Sequence, residues 1–488
     1  MNKNLFLAFL VTALMVLSAQ AQRVRTIQPD TIPAQMVSQD DCEPLPNEEL
    51  SFGLPAADAT MQTDSSFLVS AVCGGRHIDN VLSDFRHGRK SAVCGGRHID
   101  NVLSDSRHGR ESAEWDRLLR CRLDALLNDP LFETTQLGLM VWDLTADSCV
   151  YKHNERQRMR PASIMKNLTA VTAIDVLGLD YQFKTSLYYK GMIIDSLRTL
   201  AGDIYCIGGM DPKFGSKDMS AFVQAIKSLG IDTIRGSISF DDSFKDKDRL
   251  GYGWCWDDDN PVLTPLLCDK KDEFSLRFLS ELRRAGIIMI GGGVQNSTVP
   301  IGSSKLICER RHSIKEIITQ TLKESDNLFA ESLFYNIAAA TSNKGISKGA
   351  SSKQARTAVR QVLAKAGVNT SEDDIADGSG LSLYNYVTPN LEVQLLRYAW
   401  RHKDIYAFLS TALPVAGVDG TLKSRMKNTA AWKKIFAKTG TVTGVSSLAG
   451  YAQAANGHVL CFCIINQGIS KTSDGRRFQD KVCAAMCQ

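Results

Sequence analysis

The stretch Pro161 to Thr169 sets the strongest constraint on this chain, because it places a serine and a lysine three residues apart at the start of a helical run. Ser163 and Lys166 at that spacing stack on one helix face, and a hydroxyl held beside an amine can become a nucleophile. Behind them Met165, Leu168, Val171, Ile174 and Leu177 recur at helical spacing, which predicts a buried stripe, and Gly178 supplies a stop. Ser163 therefore falls at a helix start, where free backbone N–H groups favour developing negative charge. Ser424 and Lys427 repeat the pattern, so the rest of the chain must decide which pair carries chemistry.

At 488 residues the chain is long enough for two or three domains. A hydrophobic share of 44% with 23% charged residues is that of a globular protein, and a formal charge of +4 without a long basic block excludes a nucleic-acid binder. Lys3, the apolar run Leu5 to Leu17 and the small residues Ala19 and Ala21 predict a signal peptide over residues 1–21, hence an exported protein of the periplasm. The apolar run is short for a membrane anchor. The 13 cysteines permit disulfides in that setting, but the number is odd and they read better as small buried hydrophobes than as a bonded framework.

Residues 22–112 form a lead-in that opens with scattered prolines and contains a tandem repeat: Ser70 to Asp84 recurs as Ser91 to Asp105, a shift of 91 − 70 = 21 residues. Two near-identical copies read as a duplication, short of a solenoid, and their cysteines and histidines are not read as a metal site. Helical spacing follows over Glu114 to Leu127, then a strand pair over Leu137 to Leu144 and Cys149 to His153. Residues 182–270 turn β-rich around one helix, Met219 to Leu229, and predict a smaller inserted domain. Helical periodicity over Phe274 to Gly286, Ile314 to Leu322 and Leu328 to Ile337 is assigned to the main domain, 113–181 and 271–488. The tail predicts a hairpin, Ser447 to Gln453 and Val459 to Ile465 around Asn456-Gly457, and a last helix over Arg476 to Met486.

Two further signatures follow Ser163 in order, Ser325-Asp326-Asn327 and Lys438-Thr439-Gly440-Thr441. The set S-x-x-K, S-D-N and K-T-G is that of penicillin-binding proteins and class A β-lactamases. With Gly209-Met210-Asp211-Pro212, Leu322 to Glu331, Asp377-Gly378-Ser379-Gly380-Leu381-Ser382 and Gly417 to Leu422, the chain over residues 113–488 resembles the D-alanyl-D-alanine carboxypeptidase/endopeptidases of the low-molecular-mass class C penicillin-binding proteins. The resemblance implies an α/β fold: a transpeptidase/β-lactamase-like domain, with an antiparallel sheet between helices, carrying a smaller inserted β-rich domain. The interval 325 − 163 = 162 residues is short for the family's inserts, and Leu383 stands where the family commonly has arginine.

The resemblance further implies a serine D-Ala-D-Ala carboxypeptidase, and an endopeptidase on cross-links, acting on peptidoglycan stem peptides through an acyl-enzyme. Ser163 would be the nucleophile, Lys166 its base, and Ser325 a proton relay to the leaving amine. Asn327 would donate to the peptide backbone. Lys438 and Thr439 would hold the terminal carboxylate, and the N–H groups of Ser163 and Thr441 the oxyanion. A free lysine ionises near 10.4, so Lys166 needs burial and a neighbouring cation, for which Lys438 is the expected source. β-Lactams would act as covalent inhibitors. No metal or organic cofactor is expected. Peripheral membrane association and oligomeric state stay open, as do two rival readings, a β-lactamase-like hydrolase and a catalytically silent cell-wall binding module. Ser424 and Lys427 lack partner signatures and are read as ordinary surface residues; Asp211 is read equally as facing substrate or as starting a turn, and Asp377 to Gly380 as a shaped loop.

Overall fold

A computed structural model describes residues 114–341, 349–369 and 374–488. The expected signal segment 1–21 and the lead-in 22–112 with its repeat lie outside the described residues.

The main sheet has five strands: β1 (Gln136–Asp143), β2 (Ser148–His153), and β10 (Ile435–Val442), β11 (Val445–Gln453) and β12 (Val459–Gln467) from the far end of the chain. Their order is β10-β11-β12-β1-β2, and every pair is antiparallel. The register Gln136↔Gln467 to Asp143↔Leu460 places the first strand against the last. An antiparallel sheet usually keeps one wet face, but β11 and β12 are buried almost end to end. Helices cover both sides. On one face a helix over 114–126 and α10 (Thr472–Met486) bury Leu119, Leu123, Phe478 and Val482 against Leu139, Leu448 and Phe462. On the other lie α2 (Met165–Leu177), α5 (Ile314–Lys323), α6 (Asn327–Thr341), α7 (Ser352–Lys365), α8 (Pro389–Arg401) and α9 (Lys403–Ala412). The sheet between helices expected from the sequence is the observed architecture.

α2 is not the one-sided helix its stripe suggested. Every residue from Met165 to Ile174 is buried, Lys166, Asn167, Thr169 and Thr172 included. The cause is its position in the middle of the helical layer, where it meets α5, α6, α7, α8 and α9. Polar side chains on such a helix must find partners inside the protein.

The second sheet is larger than the insertion read from the sequence. Seven strands run from Gln182 to Ser313, with β3 (Gln182–Ile194) and β4 (Thr199–Gly208) at their centre. The last, β9 (Lys305–Ser313), pairs antiparallel with β3 and sets Ser313 opposite Gln182. The unit thus extends past 270 to Ser313, and the chain leaves and re-enters the main domain at adjacent points. α3 (Ser216–Ser228) and α4 (Phe274–Arg284) cover this sheet, with Phe274, Phe278 and Leu282 in its core. The helix over Phe274 to Gly286 therefore belongs here, a correction to the 271–488 segment. Periodicity reports that a helix has an apolar face, and is silent on which core receives it.

Among the described residues no helix is long and apolar enough to cross a membrane. Cys461, Cys463, Cys483 and Cys487 are free thiols buried in the core.

Candidate active site

Ser163 sits in the 3-10 turn Ala162–Ile164 that leads into α2. Ala162 takes a left-handed φ of 51°, a sparsely populated conformation for a residue with a Cβ, which persists only where the surroundings impose it. They do so from two sides. Gly380 has φ 81°, and a Cβ there would lie 1.9 Å from the Ala162 carbonyl oxygen. At Gly440 a Cβ would meet the Pro161 carbonyl oxygen at 2.7 Å and the Ser163 nitrogen at 3.0 Å. Glycines therefore let one loop and one strand close against the backbone that carries Ser163, and Ser447 Oγ donates to the Pro161 carbonyl at 2.6 Å to hold it there.

Lys166 Nζ lies 2.9 Å from Ser163 Oγ, 2.8 Å from Asn327 Oδ1 and 2.6 Å from the Ser379 carbonyl oxygen. Its side chain is fully buried. Burial lowers the lysine to about 8, while the carboxylates of Asp377, Glu331 and Asp326 pull the other way. The expected cation is therefore not what depresses Lys166; desolvation is the first cause, and the charges that act on it are those of acids. Lys438 is itself held well below its ordinary value, first by burial and then by the Lys166 charge. Glu331, also buried, is raised to about 8 by desolvation first, and accepts from the Gly378 N–H at 3.0 Å.

Lys438 Nζ donates to Ser325 Oγ at 2.8 Å and to the Thr439 carbonyl at 2.7 Å. Ser325 stands between α5 and α6 with φ 60°, another strained position. Its loop is pinned by Asp326, which accepts from the Phe329 N–H at 3.3 Å and from Lys270 Nζ at 2.6 Å. The three signatures thus converge: Ser163 from the 3-10 turn before α2 and Lys166 from its first turn, Ser325 from the loop before α6 and Asn327 from its first residue, Lys438 from β10. Asn327 accepts from Lys166 Nζ through Oδ1, and its Nδ2, the group that would donate to a substrate backbone, stays available.

Ser163, Ser325, Thr439 and Thr441 line a cavity of about 390 Å³. Thr421, Ser424, Arg425 and Arg476 complete the lining, and none of them was assigned to the site from the sequence. Thr439 Oγ1 donates to Thr421 Oγ1 at 2.8 Å. Ser424 is exposed in the wall, and no hydrogen bond joins it to the exposed Lys427. It is a lining hydroxyl, with no amine in reach to activate it.

The Asp377 loop is a positioning element. Asp377 is buried and accepts from the N–H groups of Gly380 and Ser382, from Asn385 Nδ2 and from Trp254 Nε1, all between 2.7 and 2.8 Å. Those bonds fix the Ser379 carbonyl on Lys166. A signal was present in the run Asp-Gly-Ser-Gly, but not the role of a main-chain oxygen. Asp211 lies outside the cavity lining: it accepts from the Lys213 N–H at 3.0 Å and faces His312 Nδ1 at 2.7 Å, as a turn and ion-pair residue.

The chain matches the family described as "D-Ala-D-Ala carboxypeptidase 3 (S13) family" over residues 119–267 and 266–486. Among curated proteins, a D-alanyl-D-alanine carboxypeptidase of Actinomadura sp. (strain R39) is 27% identical over 447 residues, spanning 72% of this chain and 81% of its own. D-alanyl-D-alanine carboxypeptidase DacB of Haemophilus influenzae is 25% identical over 429 residues, spanning 70% and 88%. The crystal structure of penicillin binding protein 4 (dacB) from Haemophilus influenzae shares the fold, with a TM-score of 0.66 at 23% identity over 72% of this chain and 95% of that one.

Proposed function

The chain belongs to the D-Ala-D-Ala carboxypeptidase 3 (S13) family, and from that premise we propose that it is a serine-type carboxypeptidase that removes the terminal D-Ala of peptidoglycan stem peptides. The observation that carries this reading is Lys166 Nζ, fully buried and 2.9 Å from Ser163 Oγ.

Neutral Lys166 takes the Ser163 proton as Oγ attacks the carbonyl of the D-Ala-D-Ala bond. The backbone N–H groups of Ser163 and Thr441 receive the oxyanion, where one such donor is worth roughly 10²–10³ in rate. The proton taken by Lys166 returns to the departing amine by way of the Ser325 hydroxyl, which gives up one proton as it receives another and is held in place by Lys438 Nζ at 2.8 Å. Expulsion of D-Ala leaves an ester on Ser163, and water cleaves it. Thr439 meets the terminal carboxylate of the peptide, with Lys438 supplying charge behind it. The same attack on a D-Ala bond to a diamino acid makes the enzyme an endopeptidase on cross-links. Export to the periplasm places it beside that substrate. The inserted unit, taken as 182–313, contributes Lys270 to the Ser325 loop and Trp254 to the Asp377 loop.

β-Lactams mimic the scissile bond and so become covalent inhibitors. Penicillin incubated with the purified protein is expected to add its full mass to the peptide containing Ser163 and to stay attached over many minutes. Rapid penicillin turnover without an accumulated adduct would support a β-lactamase-like hydrolase instead.

A further inference from the structure

The lining of the cavity holds a charge that the proposed reaction does not use. Arg425 and Arg476 both reach it, and none of its lining residues is acidic. The two guanidiniums differ in how they are held. Arg425 is committed: its Nε and Nη2 bond Asp480 Oδ1 at 3.0 and 2.7 Å, and Nη2 also reaches Gln479 Oε1 at 3.1 Å and the Arg476 carbonyl at 3.3 Å. Its charge is offset by Asp480, and its bonds brace the start of α10. Arg476 is exposed on the same helix, and its guanidinium has no ion pair or hydrogen bond among the described residues. Its neighbour Arg477, by contrast, pairs with Asp474 at 2.8 Å.

The approach of α10 is close by construction. Gly475 is buried against the main sheet, and a Cβ there would stand 2.9 Å from Ile469 Cδ1 and 3.0 Å from Ser446 Cβ. The helix thereby carries the next residue, Arg476, over the mouth of the cavity. An uncompensated guanidinium at the rim of a cleft focuses field on an anion and matches a carboxylate bidentately. The hydroxyls of Thr439 and Thr441 face the same space.

We propose that Arg476 is a specificity-determining residue that binds the free carboxylate of the leaving amino acid together with the β10 hydroxyls of the same cavity, so that the enzyme prefers peptides ending in an acid over those ending in an amide. The inference rests on the carboxypeptidase reading and names the leaving-group class that site accepts, an amine bearing an α-carboxylate. Arg425 serves it by fixing α10, a positioning role.

Two synthetic stem peptides test it, one ending in D-Ala-D-Ala acid and one in the corresponding carboxamide, with kcat/KM measured for each on wild type, Arg476→Ala, Arg476→Lys and Arg477→Ala. The acid-over-amide preference is expected to fall about tenfold or more in Arg476→Ala, mainly through KM, to recover partly in Arg476→Lys, and to stay at the wild-type value in Arg477→Ala. A preference in Arg476→Ala equal to that of wild type overturns the subsite alone. Wild type that cleaves neither peptide overturns the carboxypeptidase reading beneath it, and the two failures are told apart by that first measurement.

Discussion

Lys166 in its ammonium form has three donors and three acceptors in reach, the Ser163 hydroxyl, the Asn327 amide oxygen and the Ser379 carbonyl. Loss of one proton frees a lone pair, to which the Ser163 hydroxyl can rotate and donate, as the proposed base role requires. Since the base must be neutral, and burial holds it at about 8, kcat/KM is expected to rise with pH through about 8 and level off above. Lys166→Arg stays protonated across that range and should lose about 10²–10⁴ in rate. A wild-type profile flat between pH 6 and 9 would show that Lys166 is not the titrating base. The serine and lysine were legible in the sequence as a spacing. The burial that tunes the lysine was not, because it depends on α2 being enclosed on every side, and the stripe of Met165, Leu168 and Val171 suggested only one.

The elements were mostly legible where the hydrophobic period is strong. The first strand pair, the terminal hairpin and the helices around Ser163 and after Ser325 stand within a few residues of their expected bounds. The inserted unit was underestimated for two physical reasons. β9 is half-exposed and rich in charge, as Lys305, Glu309, Arg310 and Arg311 show, so it lacks the apolar alternation that marks a strand. α4 has a clear apolar face, but the period does not say whether that face meets the main sheet or the second one. The Asp377 loop has no period at all. Its sequence offered only glycines, and what they do became visible with the fold: Gly380 lets the loop touch the Ala162 carbonyl. Gly380→Ala combines a left-handed φ of 81° with a Cβ 1.9 Å from that oxygen. The turn carrying Ser163 must then shift, with an expected loss of activity of about a hundredfold and an unfolding free energy lower by roughly 1–3 kcal/mol. Wild-type kinetics in this variant would mean that the loop does not shape the turn.

At the scale of the molecule, the site is where distant parts of one chain are forced together. β1 slots between β12 and β2, which closes the sheet with strands from both ends and sets β10 beside the start of α2. The second unit returns to its point of departure through Ser313 opposite Gln182 and sends Lys270 and Trp254 to two of the loops that hold the catalytic groups. None of this order is written in local sequence. It follows from long-range pairing, which is why the three signatures could be read in series while their convergence needed the fold. In the proposed reaction Ser163, activated by Lys166, opens the D-Ala-D-Ala bond. Release of D-Ala from a synthetic stem pentapeptide by the purified protein, compared with Ser163→Ala, tests this: release by wild type and none above background by the variant is expected, whereas no release by wild type, or equal release by both, would contradict it.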